Sequence, residues 1–237
     1  SENTWRKIKS TFLKQIENNQ LNIDLEGIDF STQANRNGAA KLKDISNNIV
    51  YNPWGTVTGR LTTKKNSFPI LTLNRGLRSV IKPQNDLFVE LDFNSAELRV
   101  LLGLLNKDQP EEDMHAWINK NIFKDKYTRE QTKKKVFAWL YNPKASHKKL
   151  NSYLDRDKIL QDYFVDGKII TPYHREIISN KQKAVNYLIQ STASDMLITS
   201  AMKINKLLQS RRSFISFCIH DSLVIDVARQ DKEMLKE

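Results

Sequence analysis

Two aspartates each close an apolar, strand-like run. Asp92 lies at the end of Leu87-Phe88-Val89-Glu90-Leu91-Asp92-Phe93, and Asp221 ends Phe214-Ile215-Ser216-Phe217-Cys218-Ile219-His220-Asp221. Between them a basic stretch carries Arg129, Lys133, Phe137 and Tyr141 at four-residue steps. Carboxylates are hard oxygen ligands for divalent cations, and such ions together with fixed cations neutralise a polyphosphate. The pattern suits metal-assisted phosphoryl transfer. Taken singly, each aspartate says little, because a strand-end Asp often caps a helix and a turn Asp often satisfies backbone groups.

The elements that must position these residues are readable from local pattern. A four-residue step exceeds one helical turn by about 40°, so a helix over 128–141, capped by Thr128, puts the four side chains on one winding stripe. Its bland alternative is an amphipathic helix with the aromatics in the core and the lysines in water. A strand over 86–92 carries Asp92, and a hairpin of strands 214–219 and 223–227 holds His220-Asp221-Ser222 in its tight turn. That hairpin can bring Asp221 beside the end of the Asp92 strand.

Further along the chain, residues 2–20 read as an amphipathic helix with Trp5, Ile8, Phe12, Leu13 and Ile16 near helical spacing. The stretch 21–50 gives weak signals, and 52–78 reads as loops and short strands. Asn94 and Ser95 are cap candidates for a helix over 96–105. Helical stretches follow over 115–123 and 147–164, then a turn at Asp166-Gly167 between short β segments. A long helix runs over 179–208, with a break expected near Ser191.

At 237 residues the chain can bury a substantial core. With 39% hydrophobic and 27% charged residues it carries much polar surface. It has no apolar run long enough for a membrane span and no signal-peptide pattern. A single cysteine, Cys218, excludes an internal disulfide and suits a reducing compartment. The formal net charge of +11 favours a polyanionic partner, nucleic acid first. The expected location is intracellular, cytoplasmic or nucleoid-associated. Lys-, Asn- and Ile-rich usage suits an AT-rich phage or organelle origin.

Five segments carry a family resemblance. Asp92-Phe93-Asn94-Ser95-Ala96-Glu97-Leu98-Arg99 resembles the first palm motif of family A DNA polymerases, the bacterial polymerase I group, which runs Asp-Tyr-Ser-Gln-Ile-Glu-Leu-Arg. Arg129, Lys133, Phe137 and Tyr141 match the second motif, and His220-Asp221-Ser222 resembles the third, His-Asp-Glu. Thr58-Gly59-Arg60-Leu61-Thr62-Thr63 is similar to a Thr-Gly-Arg-Leu-Ser-Ser element. The segment from Asn186 through Gln190 to Asp195 is similar to Asn-x3-Gln-Gly-Thr-Ala-Ala-Asp. The five occur in the family's order, and the resemblance covers about residues 50–237.

The resemblance implies an α+β fold: a right-hand polymerase palm, an antiparallel sheet with helices, plus a reduced helical fingers subdomain. Residues 1–50 would form an N-terminal helical or thumb-remnant segment, 51–112 the first part of the palm, 113–180 the fingers and 181–237 the second part of the palm. The implied activity is template-directed addition of dNTPs to a primer 3′ end. Asp92, Asp221 and the Phe93 carbonyl would hold two Mg²⁺ ions, with Mn²⁺ as a substitute, roughly 3.5–4 Å apart. Arg129, Lys133, Phe137, Tyr141, Glu97, Ser95 and His115 would contact the dNTP, with Lys133 as general acid and Glu97 as the gate against a 2′-hydroxyl. Arg60, Asn186, Gln190 and His220 would contact primer and template, partly through acceptors common to all base pairs. Further polymerase segments or replication proteins are the other expected partners.

Departures from the pattern also carry information. Asn142 stands for the glycine after the second-motif Tyr, Ser222 for the third-motif Glu, Ser95 for the first-motif Gln, and Thr72-Leu73 for a Gln-Asn pair. Serine at the Ser222 position occurs in single-subunit RNA polymerases, which makes an RNA-making enzyme the main alternative. A non-catalytic nucleic-acid-binding paralogue is the other. Shortened spacings imply pared-down fingers, and the resemblance leaves an expectation of no exonuclease domain before the palm and a thumb drawn from no more than residues 1–50. The expectation is either a set of segments from a longer polymerase or a compact variant of low processivity.

Overall fold

The structure is a computed structural model that describes residues 2–142 and 144–236, with the backbone alone for 234–236. In chain order the first elements are α1 (Glu2–Glu17), β1 (Asn22–Ile23), α2 (Gln33–Leu42), β2 (Tyr51–Asn52), β3 (Thr62–Thr63), β4 (Ile81–Lys82) and β5 (Leu87–Asp92). Then come α3 (Ala96–Leu104), α4 (Met114–Ile118), α5 (Arg129–Tyr141), α6 (Lys148–Tyr153) and α7 (Arg156–Tyr163). They are followed by β6 (Phe164–Val165), β7 (Lys168–Ile170), β8 (Glu176–Ile178), α8 (Lys181–Leu208), β9 (Phe214–Ile219) and β10 (Ser222–Val227). Two compact units result. One is Phe93–Asp195 with Glu2; the other is Asn3–Asp92 with the chain from Met196 onward.

The unit containing Asn3–Asp92 is built on a three-stranded antiparallel sheet in the order β5-β10-β9. All six residues of β10 are buried, which is why Ser222-Leu223-Val224-Ile225-Asp226-Val227 reads as a nearly continuous apolar run. Its one carboxylate, Asp226, is 1% exposed and accepts the backbone N–H groups of Gln84 and Asn85 at 2.6 and 2.9 Å. A buried charge satisfied in this way closes the approach to β5. Tyr51 crosses to β9, donating its hydroxyl proton to the Cys218 carbonyl and accepting the Cys218 N–H at 2.8 Å. Burial pushes the Cys218 thiol up to about 12, so it is an inert core group.

α1 forms as expected, but its buried face differs. Lys9, Phe12, Leu13 and Ile16 are buried, whereas Ile8 is 46% exposed. Lys9 takes that place because its ammonium reaches the Gly59 carbonyl at 3.1 Å while its stem packs. The weak stretch 21–50 contains α2, capped by the Thr32 side chain, which accepts Asn35 N–H. Gly38 sits inside that helix because an added Cβ would lie 2.2 Å from Leu77 Cδ1. Close packing here overrides glycine's poor helix propensity.

The unit of Phe93–Asp195 is mainly helical, with a three-stranded antiparallel sheet in the order β6-β7-β8. The β6–β7 turn is Asp166-Gly167, both at positive φ (50° and 75°), as a two-residue hairpin turn requires. The stretch 115–123 is α4 followed by a π turn over Asn119–Phe123. The stretch 147–164 is two helices, because Asp155 starts a new one by accepting the Lys158 N–H at 3.0 Å. α8 is unbroken over its 28 residues, against the expected break near Ser191. It contains neither Gly nor Pro, and Ser191 is fully buried within it.

Candidate functional site: a carboxylate hairpin and a cationic aromatic helix

The carboxylate hairpin belongs to the sheet unit. Ser222 lies opposite Asp92 on β5 and opposite Ile219 on β9, so His220-Asp221 is a two-residue loop. Asp92 thus ends its strand beside the chain neighbour of Asp221. The loop needs one left-handed residue, and His220 supplies it at φ 52°. Residues directly opposite share a sheet face, and so do alternate residues on one strand. Glu90, Asp92 and Ser222 therefore share a face, and the Ser222 hydroxyl donates to Glu90 Oε1 at 2.6 Å. A carboxylate of β5 is thus engaged by the serine that follows Asp221.

Arg60 comes from the Thr58-Gly59-Arg60 turn. Gly59 adopts φ 73°, its N–H donates to the Thr56 carbonyl at 3.1 Å, and its own carbonyl receives buried Lys9. The Thr56 hydroxyl donates to the Arg60 carbonyl at 3.0 Å. The Arg60 guanidinium then lies 3.9 Å from Asp221 Oδ1, with the two side chains 42% and 44% exposed. Water screens so open a pair, and it holds Asp221 only weakly.

Among the described residues no group of three or more His, Cys, Asp or Glu side chains is placed to hold a metal ion. Mg²⁺ seldom needs such a cage. It is held by one or two carboxylates and completes its octahedron with water and phosphate oxygens. Asp92 and Asp221 are hard oxygen donors brought to one end of the sheet, the donor type such an ion takes.

In the helical unit, α5 begins with a full capping box. The Thr128 hydroxyl accepts Gln131 N–H and the Gln131 side chain accepts Thr128 N–H. The face of α5 that packs inward is Thr132, Val136, Trp139 and Leu140. Phe137 and Tyr141 face outward, 39% and 40% exposed, with rings stacked at 5.6 Å and 14°. Lys133 Nζ stands 5.8 Å from the Phe137 ring centroid, and the His115 ring lies 6.0 Å from it. The bland alternative for this helix, aromatics in the core, does not hold.

Two side chains are tied to this stripe. The Tyr141 hydroxyl donates to Glu97 Oε2 in the first turn of α3. The Arg99 guanidinium, two residues on, donates to the carbonyls of Asn94, Pro110 and Glu112. Arg129 donates from Nε and Nη2 to the two oxygens of Asp113 at 3.1 and 2.7 Å, and from Nη1 to Glu130 at 3.1 Å. That fork holds the Asp113 carboxyl down at about 2. Burial keeps the His115 imidazole below its ordinary value, which favours the neutral ring near neutral pH. Its Nδ1 is buried and has no hydrogen-bond partner among the described residues.

The sign of the Asp113 effect gives a test. A carboxyl whose folded value is depressed adds stability above the unfolded value, about 4, and loses it as pH falls through the folded one. Asp113→Asn should therefore flatten the loss of stability between about pH 4 and pH 2 in an acid titration followed by circular dichroism. Equal losses in both proteins would count against the pair.

Ser95 occupies the N-cap position of α3 but makes no side-chain cap bond, because its backbone is left-handed (φ 54°, ψ 48°). Its carbonyl still accepts the Leu98 and Arg99 N–H groups at 3.0 and 3.1 Å. Asn186 and Gln190 lie half-buried on α8, and Asn186 lines a cavity of about 420 Å³ with Arg156, Lys181 and Gln182. Glu90, Lys9 and Asp113 escaped the reading of the sequence. Period-two alternation with Asp92 was the available signal for Glu90. For Asp113 it was the position two residues before His115, where an N-cap belongs.

The class defined at the level of fold is an α+β, polymerase-like one. In particular, the chain is similar to the POL domain of Pol1 from M. smegmatis, solved in complex with DNA primer-template and dNTP, with a TM-score of 0.65 and 16% identity. The match covers 100% of this chain and 62% of that one, so the chain spans less than two thirds of its length. The likeness is one of fold. No family profile and no curated protein matches the sequence. No helix among the described residues is long and apolar enough to cross a membrane.

Proposed function

We propose that the protein is a template-directed DNA polymerase related to the family A group, extending a primer with dNTPs. The observation that carries this reading is the outward stripe of α5. Two cations and two stacked aromatic rings share its exposed face, and one ring's hydroxyl is committed to Glu97. Exposed aromatic rings beside fixed positive charge suit a base, a sugar and a triphosphate better than they suit water.

The roles follow from position and chemistry. Arg129 and Lys133 bind phosphate oxygens, and Lys133 gives a proton to the departing pyrophosphate. Phe137 and Tyr141 offer ring faces to sugar and base, with Ser95 and His115 as further dNTP contacts. Asp92, Asp221 and the Phe93 carbonyl would hold Mg²⁺ or Mn²⁺, and Glu90 adds charge on their sheet face. Such ions, when bound, polarise the phosphoryl group and offset the charge of the attacking and leaving oxygens. Most of the acceleration then comes from positioning and electrostatics. Arg60, Asn186, Gln190 and His220 would contact primer and template. The formal charge of +11 supports a nucleic-acid partner inside a cell. We assign palm roles to 51–112 and 181–237, fingers to 113–180, and a thumb-like role to 1–50.

The test is extension of a labelled primer–template with Mg²⁺ and either dNTPs or rNTPs. Product with dNTPs supports the reading. Product with rNTPs would favour the RNA-making alternative that Ser222 raises, and none with either would favour a binding module. Glu97→Ala should admit rNTPs about tenfold or more better, because the carboxylate braced by Tyr141 no longer crowds the 2′ position. Unchanged rNTP exclusion in that variant would remove the gate from the proposal.

A further inference from the structure

We infer that Asp113 is the positioning residue for the triphosphate-binding cation Arg129, an inference that rests on the polymerase reading above. A guanidinium has five N–H donors in a rigid fork. Asp113 takes the Nε and Nη2 side in a two-point contact at 3.1 and 2.7 Å, and Glu130 takes one Nη1 donor at 3.1 Å. One Nη1 and one Nη2 proton remain on a side chain that is 52% exposed, and the Nη1–Nη2 end edge lies away from Asp113. That end edge can take two phosphate oxygens in a bidentate contact once Glu130 is displaced. Glu130, itself 70% exposed, is a weak competitor that an incoming phosphate can displace.

Asp113 is itself fixed. Its Oδ1 also accepts the N–H groups of His115 and Ala116 at 3.1 and 2.9 Å, as the cap of α4. The segment before it is held by Arg99 on the carbonyls of Pro110 and Glu112. One carboxylate thus sets the guanidinium plane of Arg129 and the start of the helix bearing His115. Its depressed pKa keeps it charged throughout the working range of a polymerase. An arginine ordered in advance loses less freedom when a ligand binds, which appears in affinity and not in the chemical step.

The test is Asp113→Asn, since asparagine caps a helix as well as aspartate does. It cannot accept the two-point fork. The expected result is a rise in dNTP KM of about five- to tenfold, the ordering cost of one side chain returned to the binding step. kcat should stay within about twofold, with unchanged primer–template affinity and a small fall in Tm near neutral pH, the stability that the depressed Asp113 carboxyl no longer adds. In an Arg129→Ala background the same change should alter KM no further, as a coupled pair requires. A wild-type KM in Asp113→Asn, or an equal rise with and without Arg129, would overturn the inference and leave the polymerase reading standing. Titration of dATP without primer supplies a readout independent of turnover, in which weaker binding by Asp113→Asn supports the inference. Neither binding nor extension by the wild-type protein would overturn both.

Discussion

Asp221→Ala should lower the kcat of the proposed primer extension by about 10³-fold or more while the protein keeps its fold. That factor corresponds to roughly 4 kcal/mol of transition-state stabilisation, the scale of losing one carboxylate ligand from a metal-assisted phosphoryl transfer. The fold should survive because Asp221 lies in a two-residue loop, is 44% exposed, and among the described residues makes only the long contact to Arg60. None of these holds the sheet together. Asp226, only five residues on, is the informative contrast, because it is buried and anchors the backbone of Gln84 and Asn85. Asp226→Ala should lower Tm and activity together, whereas Asp221→Ala should lower activity alone. Glu90→Gln should have a smaller effect than Asp221→Ala, since Ser222 can donate to a neutral amide as well. Measurement is by single-nucleotide extension at saturating dNTP and Mg²⁺, with thermal melts alongside. Product formation by Asp221→Ala within about tenfold of wild type would remove the metal role from this residue.

The carboxylate hairpin was readable in the sequence because everything that builds it is local. Two apolar runs separated by a polar tight turn can pair in few registers, and the strand before Asp92 ends where the pattern ends. The start of α5 was readable for the same reason, through Thr128 and the steps of four. Its buried face was not, because Val136, Trp139 and Leu140 compete with Phe137 and Tyr141 for the core, and only tertiary packing decides. Lys9 shows the limit from the other side. Amphipathic pattern assigns a lysine to solvent, and only the Gly59 carbonyl, fifty residues away, makes its burial acceptable. The Asp113–Arg129 fork spans sixteen residues and carries no periodic signal. Local chemistry wrote the elements; long-range hydrogen bonds chose which faces and which polar groups went inside.

The largest stability effect in the helical unit should come from a pair outside the proposed chemistry. Arg175 and Asp195 form a forked ion pair with N–O distances of 3.2 to 3.4 Å, their side chains 7% and 0% exposed. The backbone of Arg175 is held in turn, its N–H donating to the Thr171 hydroxyl at 3.1 Å and its carbonyl accepting the Thr171 N–H at 3.0 Å. The pair ties the β7–β8 loop to α8, which also carries Asn186 and Gln190. Asp195→Ala leaves a guanidinium buried without its counter-charge, which costs about 3–5 kcal/mol. In a protein of this size that is a fall in Tm of roughly 6–20 °C. Replacing both partners, as Arg175→Met with Asp195→Leu, should recover most of the loss, because two matched apolar side chains require no desolvated charge. High salt should leave the wild-type melting temperature nearly unmoved, since screening scarcely reaches a buried pair. A single variant that melts within about 2 °C of wild type, or a double variant no better than the single one, would show that this pair does not set the stability of the unit. Assayed well below its new melting temperature, Asp195→Ala should keep its dNTP KM and weaken on primer–template, because α8 bears the proposed primer–template contacts Asn186 and Gln190, while Arg129 and Lys133 stand on α5.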